Sequence, residues 1–237
     1  MSRNQNNNSL SMLIVSIGIT ISLYFFPFGR SIAYPLLLLS TLAHEMGHGI
    51  AALLVGGKFE EFHLYADASG VAYSSFLGGA NRFQSAWTSA GGLVGPAFVG
   101  MLMFICGRNE KHNKLFLTVL GSGILLSVLL VVRNGFGMGF VSAVGFITLF
   151  IGVRSSKRIA QLFSYFIGVQ LSLSVFSRGE YLFMEKAETT AGPMPSDVAN
   201  MANALFLPYW FWGIVCGGLS IIFLLVGIRT TLKTEGS

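Results

Sequence analysis

Of 237 residues, 53% are hydrophobic and 11% are charged, less than half the roughly one quarter of charged residues usual in water-soluble domains. A formal net charge of +5 would suggest a nucleic-acid partner in a soluble protein, but here Arg and Lys sit in short connections between long apolar runs, as topology signals do. Composition and charge therefore exclude a soluble globular domain and nucleic-acid binding, and point to a lipid bilayer as the main solvent.

Residues 1–9 are polar and Asn-rich and read as a disordered tail, followed by one integral membrane domain over 10–237. Apolar runs long enough to cross about 30 Å of hydrocarbon occur near 10–27, 34–55, 85–106, 115–132, 136–153, 159–176 and 205–228. The expected fold class is an all-α polytopic membrane protein with about seven transmembrane helices. The first run is longer than a secretory signal core, so it is read as a helix even though Ser31-Ile32-Ala33 loosely resembles a cleavage site. Gly91 with Gly95 and Gly213 with Gly217 form GxxxG spacings, and Gly135, Gly137 and Gly139 crowd the start of another run, which lets helix backbones approach closely. Cys106 and Cys216 lie inside apolar runs without disulfide or metal-ligand spacing and read as packing residues.

Two longer polar stretches interrupt the runs, at 57–84 and 177–204. In the first, Lys58 to Phe76 mixes aromatic, β-branched and polar residues around Asp67-Ala68-Ser69-Gly70, which is turn chemistry between two strands. A β-hairpin at the membrane surface is expected there. In the second, Ser196-Asp197-Val198-Ala199-Asn200 follows Gly192, Pro193 and Pro195 and signals a short helix leading into the last apolar run.

The run 34–55 carries one polar stripe. At about 100° per residue, Ser40, Thr41, His44, Glu45 and His48 fall within an arc of roughly 140°, against a helix otherwise apolar or Gly. His44 lies near the middle of that run, where ionisable groups are costly unless they face a cavity or a partner. His44-Glu45-Met46-Gly47-His48 meets the cost chemically, because two His four residues apart on one face can bind a single Zn²⁺ with the intervening Glu beside the reacting water. Chance alone places an HExxH string in roughly 3% of chains this long, so the membrane context carries the assignment. The competing reading is that these are packing residues paired with neighbouring side chains.

A hydrolytic zinc needs a third protein ligand and one open position. The chain has four His and two Asp, which leaves His63 and Asp67 in the hairpin, His112 in a basic loop, and Asp197. Asp197 is the choice, although a carboxylate at a helix start is also stabilised by the exposed amides there. Glu180, Glu185 and Glu188 stay open as a glutamate alternative.

The chain resembles the site-2 protease family of intramembrane zinc metalloproteases, in its compact branch without a PDZ domain. The likeness is carried by His44-Glu45-Met46-Gly47-His48-Gly49, by the hairpin-like segment after it, by Ala90-Gly91-Gly92-Leu93-Val94-Gly95-Pro96, and by Ser196-Asp197-Val198-Ala199. The resemblance implies that Asp197 completes a zinc site with His44 and His48. One departure is that many relatives place an Asn shortly after the Gly-Pro, where this chain has Ala97, Phe98 and Val99. Asn81, Asn134, Asn200 or a backbone amide remain as donors to a developing oxyanion.

The expected function is zinc-dependent endopeptidase cleavage of membrane-spanning or membrane-proximal substrates, with Glu45 moving the proton and the 57–84 hairpin holding an unwound substrate by strand addition. A different class, an inactive membrane scaffold or chaperone that keeps the motif, stands beside it. With seven crossings, six Lys and Arg lie on the side of the N-terminus and hairpin and nine on the other, which favours an extracytoplasmic N-terminus. The family resemblance implies a cytosolic hairpin instead. No residue pattern encodes an oligomeric state.

Overall fold

The computed structural model describes residues 2–25, 29–177, 182–189 and 192–232. Among them the chain runs through α1 (Ser2–Phe25), α2 (Gly29–Leu54), β1 (Lys58–Leu64), β2 (Gly70–Ser75), α3 (Arg82–Gly107), α4 (Glu110–Leu130), α5 (Gly135–Arg154), α6 (Lys157–Ser177), β3 (Lys186–Thr189), β4 (Gly192–Pro195), α7 (Asp197–Leu205) and α8 (Tyr209–Leu232). Six helices, α2 to α6 and α8, are long and apolar enough to cross a membrane, and α1 adds the shorter apolar stretch Leu10–Thr20. The chain is a multi-pass integral membrane protein of all-α class, as the apolar runs require.

α1 begins at Ser2, so the Asn-rich segment expected as a disordered tail is helical. Asn is a poor helix former, but the apolar turns that follow supply a nucleus onto which the polar turns extend. The last apolar run follows the short helix expected before it. Phe206 takes a left-handed conformation at the end of α7 and Pro208 cannot continue a helix, so a short α7 carries Asp197 and a separate α8 crosses.

α3 and α6 are central. Met103, Leu117, Ala160, Ile167 and Leu171 join them to α4. Ala86, Leu93, Val175, Val198, Met201 and Cys216 join them to α7 and α8. Cys216 is buried with its thiol 3.9 Å from Met201 Sδ, as the packing reading expects, and Cys106 is a half-buried free thiol. The glycine expectation holds in part: Gly91 packs on α2 and Gly213 on the Leu182 carbonyl, whereas Gly135 and Gly139 meet nothing within 4 Å.

The hairpin corrects the surface expectation. β1 and β2 pair antiparallel and lie along α2, with Phe62 and Leu64 fully buried against Leu38, Leu42, Val132 and Val141. The tip reaches back along the helix: Thr41 Oγ1 donates to the Ala68 carbonyl at 2.8 Å and Tyr34 to the Ala66 carbonyl at 2.6 Å. Asp67 Oδ1 accepts from the Ser69 amide and hydroxyl, which fixes the turn with Ala68 at φ 65°.

Away from water, such a strand requires its backbone groups to be paired. The far edge of β1 is closed by the segment between α4 and α5. The Phe62 amide donates to the Val131 carbonyl, the Arg133 amide to the Phe62 carbonyl, and the Asn134 carboxamide brackets Leu64 by accepting from its amide at 3.1 Å and donating to its carbonyl at 2.6 Å. Because Phe62 and Leu64 turn their backbone groups away from β2, their partners Ala72 and Gly70 turn theirs away from β1. Among the described residues, the outer edge of β2 meets no further strand.

Candidate metal centre

Four crossings, α3 to α6, separate the hairpin from Asp197, so both lie at one end of the bundle. Arg82 at the start of α3 stacks over the Phe206 ring at 4.2 Å, and exposed Phe83, Trp87 and Trp210 gather at the same end, as aromatic residues do at a bilayer boundary. The polar stripe of α2 faces inward just below that level. Gly47, inside the motif, packs on the α3 backbone at Gly91, and Gly49 packs under the Phe59 ring of β1. The two glycines therefore turn α2 so that its polar stripe points at the junction of α3, α7 and the hairpin.

Ser196 caps α7, its Oγ accepting from the Ala199 amide at 3.2 Å and donating to the Met184 carbonyl. With the cap provided by Ser196, the Asp197 carboxylate is directed at the two imidazoles. His44 Nε2 lies 3.1 Å from Asp197 Oδ2, His48 Nε2 lies 3.3 Å from Asp197 Oδ1, and the two Nε2 atoms are 3.1 Å apart. His48 Nδ1 donates to the Thr88 carbonyl at 2.8 Å. In the neutral ring that leaves Nε2 as a lone pair aimed at the other two groups. Burial alone would raise the Asp197 carboxyl; when the facing rings carry protons on Nε2, the charge of His48 and the hydrogen bonds from both rings more than offset it and hold the group well below the usual carboxylate range.

These residues fit a divalent cation on geometric grounds. Vertices about 2.05 Å from the centre of a tetrahedron are about 3.3 Å apart, the spacing that His and carboxylate ligands of zinc adopt. The three observed separations match it, and all the ligand atoms lie within 4.8 Å of one another. Without a cation or extra protons, three acceptor atoms would crowd together in a buried site, an arrangement that costs free energy.

Glu45 is 7% exposed and sits on the same stripe without belonging to the cluster. Its Cγ and Oε1 face Gly70, where an added Cβ would stand 2.8 and 3.2 Å away and would also meet Thr41 at 2.7 Å. The first residue of β2 thus has to be small for the hairpin to lie on the stripe.

Of the other ligand candidates, His63 is on the hairpin face away from α2, Asp67 is in the turn, His112 is exposed in the first turn of α4 and not in a loop as expected, and Glu185 is exposed. The side chains of Glu180 and Glu188 lie outside the described residues. Of the candidate oxyanion donors, Asn81 is engaged in the capping box of α3 and Asn134 clamps β1, whereas Asn200 lies one turn after Asp197 on α7. Sequence reasoning missed Thr88, whose carbonyl orients His48, and Gly92, where a methyl would overlap the His48 ring. The Gly91-Gly92 pair signalled close packing but not what it makes room for.

A family model described as Peptidase M50B-like matches residues 12–227, and no PDZ-domain model matches. No curated protein and no solved structure matches the chain.

Proposed function

The chain belongs to the peptidase M50B-like family, within the site-2 proteases that its HExxH helix resembles, and from that membership we propose that it is a zinc-dependent intramembrane endopeptidase. The observation that carries the reading is the convergence of His44, His48 and Asp197, drawn from helices far apart in the chain, to 3.1–3.3 Å with Glu45 buried beside them. His44, His48 and Asp197 would hold the Zn²⁺. When bound, the ion supplies the Lewis acidity that lets water act as a nucleophile near neutral pH and polarises a substrate carbonyl.

The chain's own residues account for the rest. Thr88 fixes the His48 tautomer, and Asp197 contributes the charge that lets two neutral imidazoles hold a divalent ion in a buried place. Glu45 takes the proton from the attacking water and passes it to the leaving amine, a transfer between atoms that its place on the stripe keeps close to the cluster. A transmembrane substrate hides its peptide bonds in its own helix and has to be unwound before attack. The open edge of β2 supplies the replacement partners: Gly70 and Ala72 offer amides and carbonyls beside Glu45, to which an extended segment of a membrane protein adds as a strand.

The test is cleavage of a reporter transmembrane segment by the purified full chain. Activity should vanish on removal of metal by a chelator and return on adding Zn²⁺. Undiminished cleavage by metal-free protein would exclude this mechanism, and a fully metallated chain that cuts no reporter would favour a membrane-embedded binding module.

A further inference from the structure

Successive side chains of a strand point to opposite faces. Along β2, Gly70, Ala72 and Ser74 share the face that lies on α2, and Tyr73 points to the other. The register pairs Tyr73 with Glu61 and His63 with Val71, which puts Glu61, His63 and Tyr73 together on the outer face. The His63 ring stands edge-on to Tyr73 and stacks with Tyr65, each with centroids 6.2 Å apart, and its Nε2 is 3.6 Å from Glu61 Oε2. Tyr73 is 40% exposed, while α2 and α5, the helices that pack on the hairpin, lie on its opposite face.

An imidazole, a carboxylate and phenols on a hairpin that runs back into a membrane bundle are costly against hydrocarbon, so such groups face water or a polar partner. The rings of Tyr73 and His63 also present aromatic faces and edges, and the adjoining edge says what can lie against them. A strand added at Gly70 and Ala72 must turn alternate side chains onto the outer face, and those side chains become lateral neighbours of Tyr73. Tyr73 is three residues from Gly70, about 10 Å at a rise of roughly 3.3 Å per residue. The substrate residue beside Tyr73 is accordingly three positions from the one beside Gly70 and Glu45.

Resting on strand addition at β2, we propose that Tyr73 and His63 form a side-chain subsite that selects substrates with an aromatic residue three positions from the one lying against Gly70. The two rings offer a face and an edge, the surfaces with which aromatic side chains pair most favourably. The main-chain edge would then accept any unwound segment, and this subsite would choose among them.

The full chain in liposomes is assayed against reporter transmembrane segments in which one Phe is moved through an Ala-rich cleavage region. Wild type should prefer one Phe position about tenfold over Ala in kcat/KM, and Tyr73→Ala should flatten that preference to within about twofold. Tyr73→Phe should keep the preference. A loss in Tyr73→Ala spread equally over all reporters, as a lipid anchor would give, overturns the subsite, as does an unchanged Phe preference. Reporters N-methylated at single amides separate the two levels. If no N-methyl group slows wild-type cleavage, strand addition itself fails and the subsite with it, whereas N-methyl sensitivity beside a Phe preference indifferent to Tyr73 overturns the subsite alone.

Discussion

A Glu45→Gln chain should bind zinc as the wild type does and cleave a reporter transmembrane segment about 10²- to 10⁴-fold more slowly, the range over which general acid–base groups act. Glu45 is not among the atoms that converge on the candidate metal position, so its replacement leaves His44, His48 and Asp197 where they are. Gln has nearly the same shape and fits the same narrow space beneath Gly70 and beside Thr41, which keeps the hairpin in place. It cannot accept a proton from water. Because binding and geometry are retained, the loss should appear in kcat with little change in KM, the signature of an interaction made only on the way to the transition state. Zinc analysis and single-turnover cleavage of the same preparation check both halves, and full activity in this variant would remove Glu45 from the mechanism.

Gly92→Ala should weaken zinc binding about 10- to 100-fold, the cost typical of disturbing the groups that orient a metal ligand. A methyl at residue 92 overlaps the Cε1 and Nε2 side of the His48 ring, so the ring has to turn away from the Thr88 carbonyl and from Asp197. The substitution should not weaken the fold itself, because Ala in a helix interior is favoured over Gly by about 1 kcal/mol. Its neighbour provides the contrast. A methyl on Gly91 meets Ala51 and the Gly47 backbone, so Gly91→Ala forces α2 and α3 apart and lowers stability as well as metal affinity. Competition for zinc against a chelator, run beside thermal unfolding of the metal-free protein, distinguishes the two. Wild-type affinity in Gly92→Ala would show that the ring has room the structure does not give it.

The parts of this arrangement that are local in the chain were legible in the sequence. Long apolar runs reveal helices because lipid leaves few other solutions, and the spacing of His44, Glu45 and His48 puts them on one face of any helix. Asp197 was legible only as a helix start near a membrane entrance, since its meeting with His44 depends on how four crossings pack and on Ser196 taking over the cap. The hairpin was legible from its turn residues, but not its placement, which depends on Thr41, Tyr34 and Asn134 receiving its backbone groups from three distant positions. The sequence leaves Asn134 open as a donor to an oxyanion, whereas in the fold its carboxamide is taken up by Leu64. The break between α7 and the last crossing was legible from the helix start at Ser196-Asp197 ahead of the apolar run, and it agrees with Pro208, which cannot continue a helix.

The three-residue cluster is tested most directly by metal content. Purified wild-type chain should carry about one zinc, and His44→Ala and Asp197→Ala, still folded by their helical signal, should carry far less, since each lacks one of three protein ligands. An Asp197→Ala chain that retains as much zinc as the wild type would contradict the centre described above.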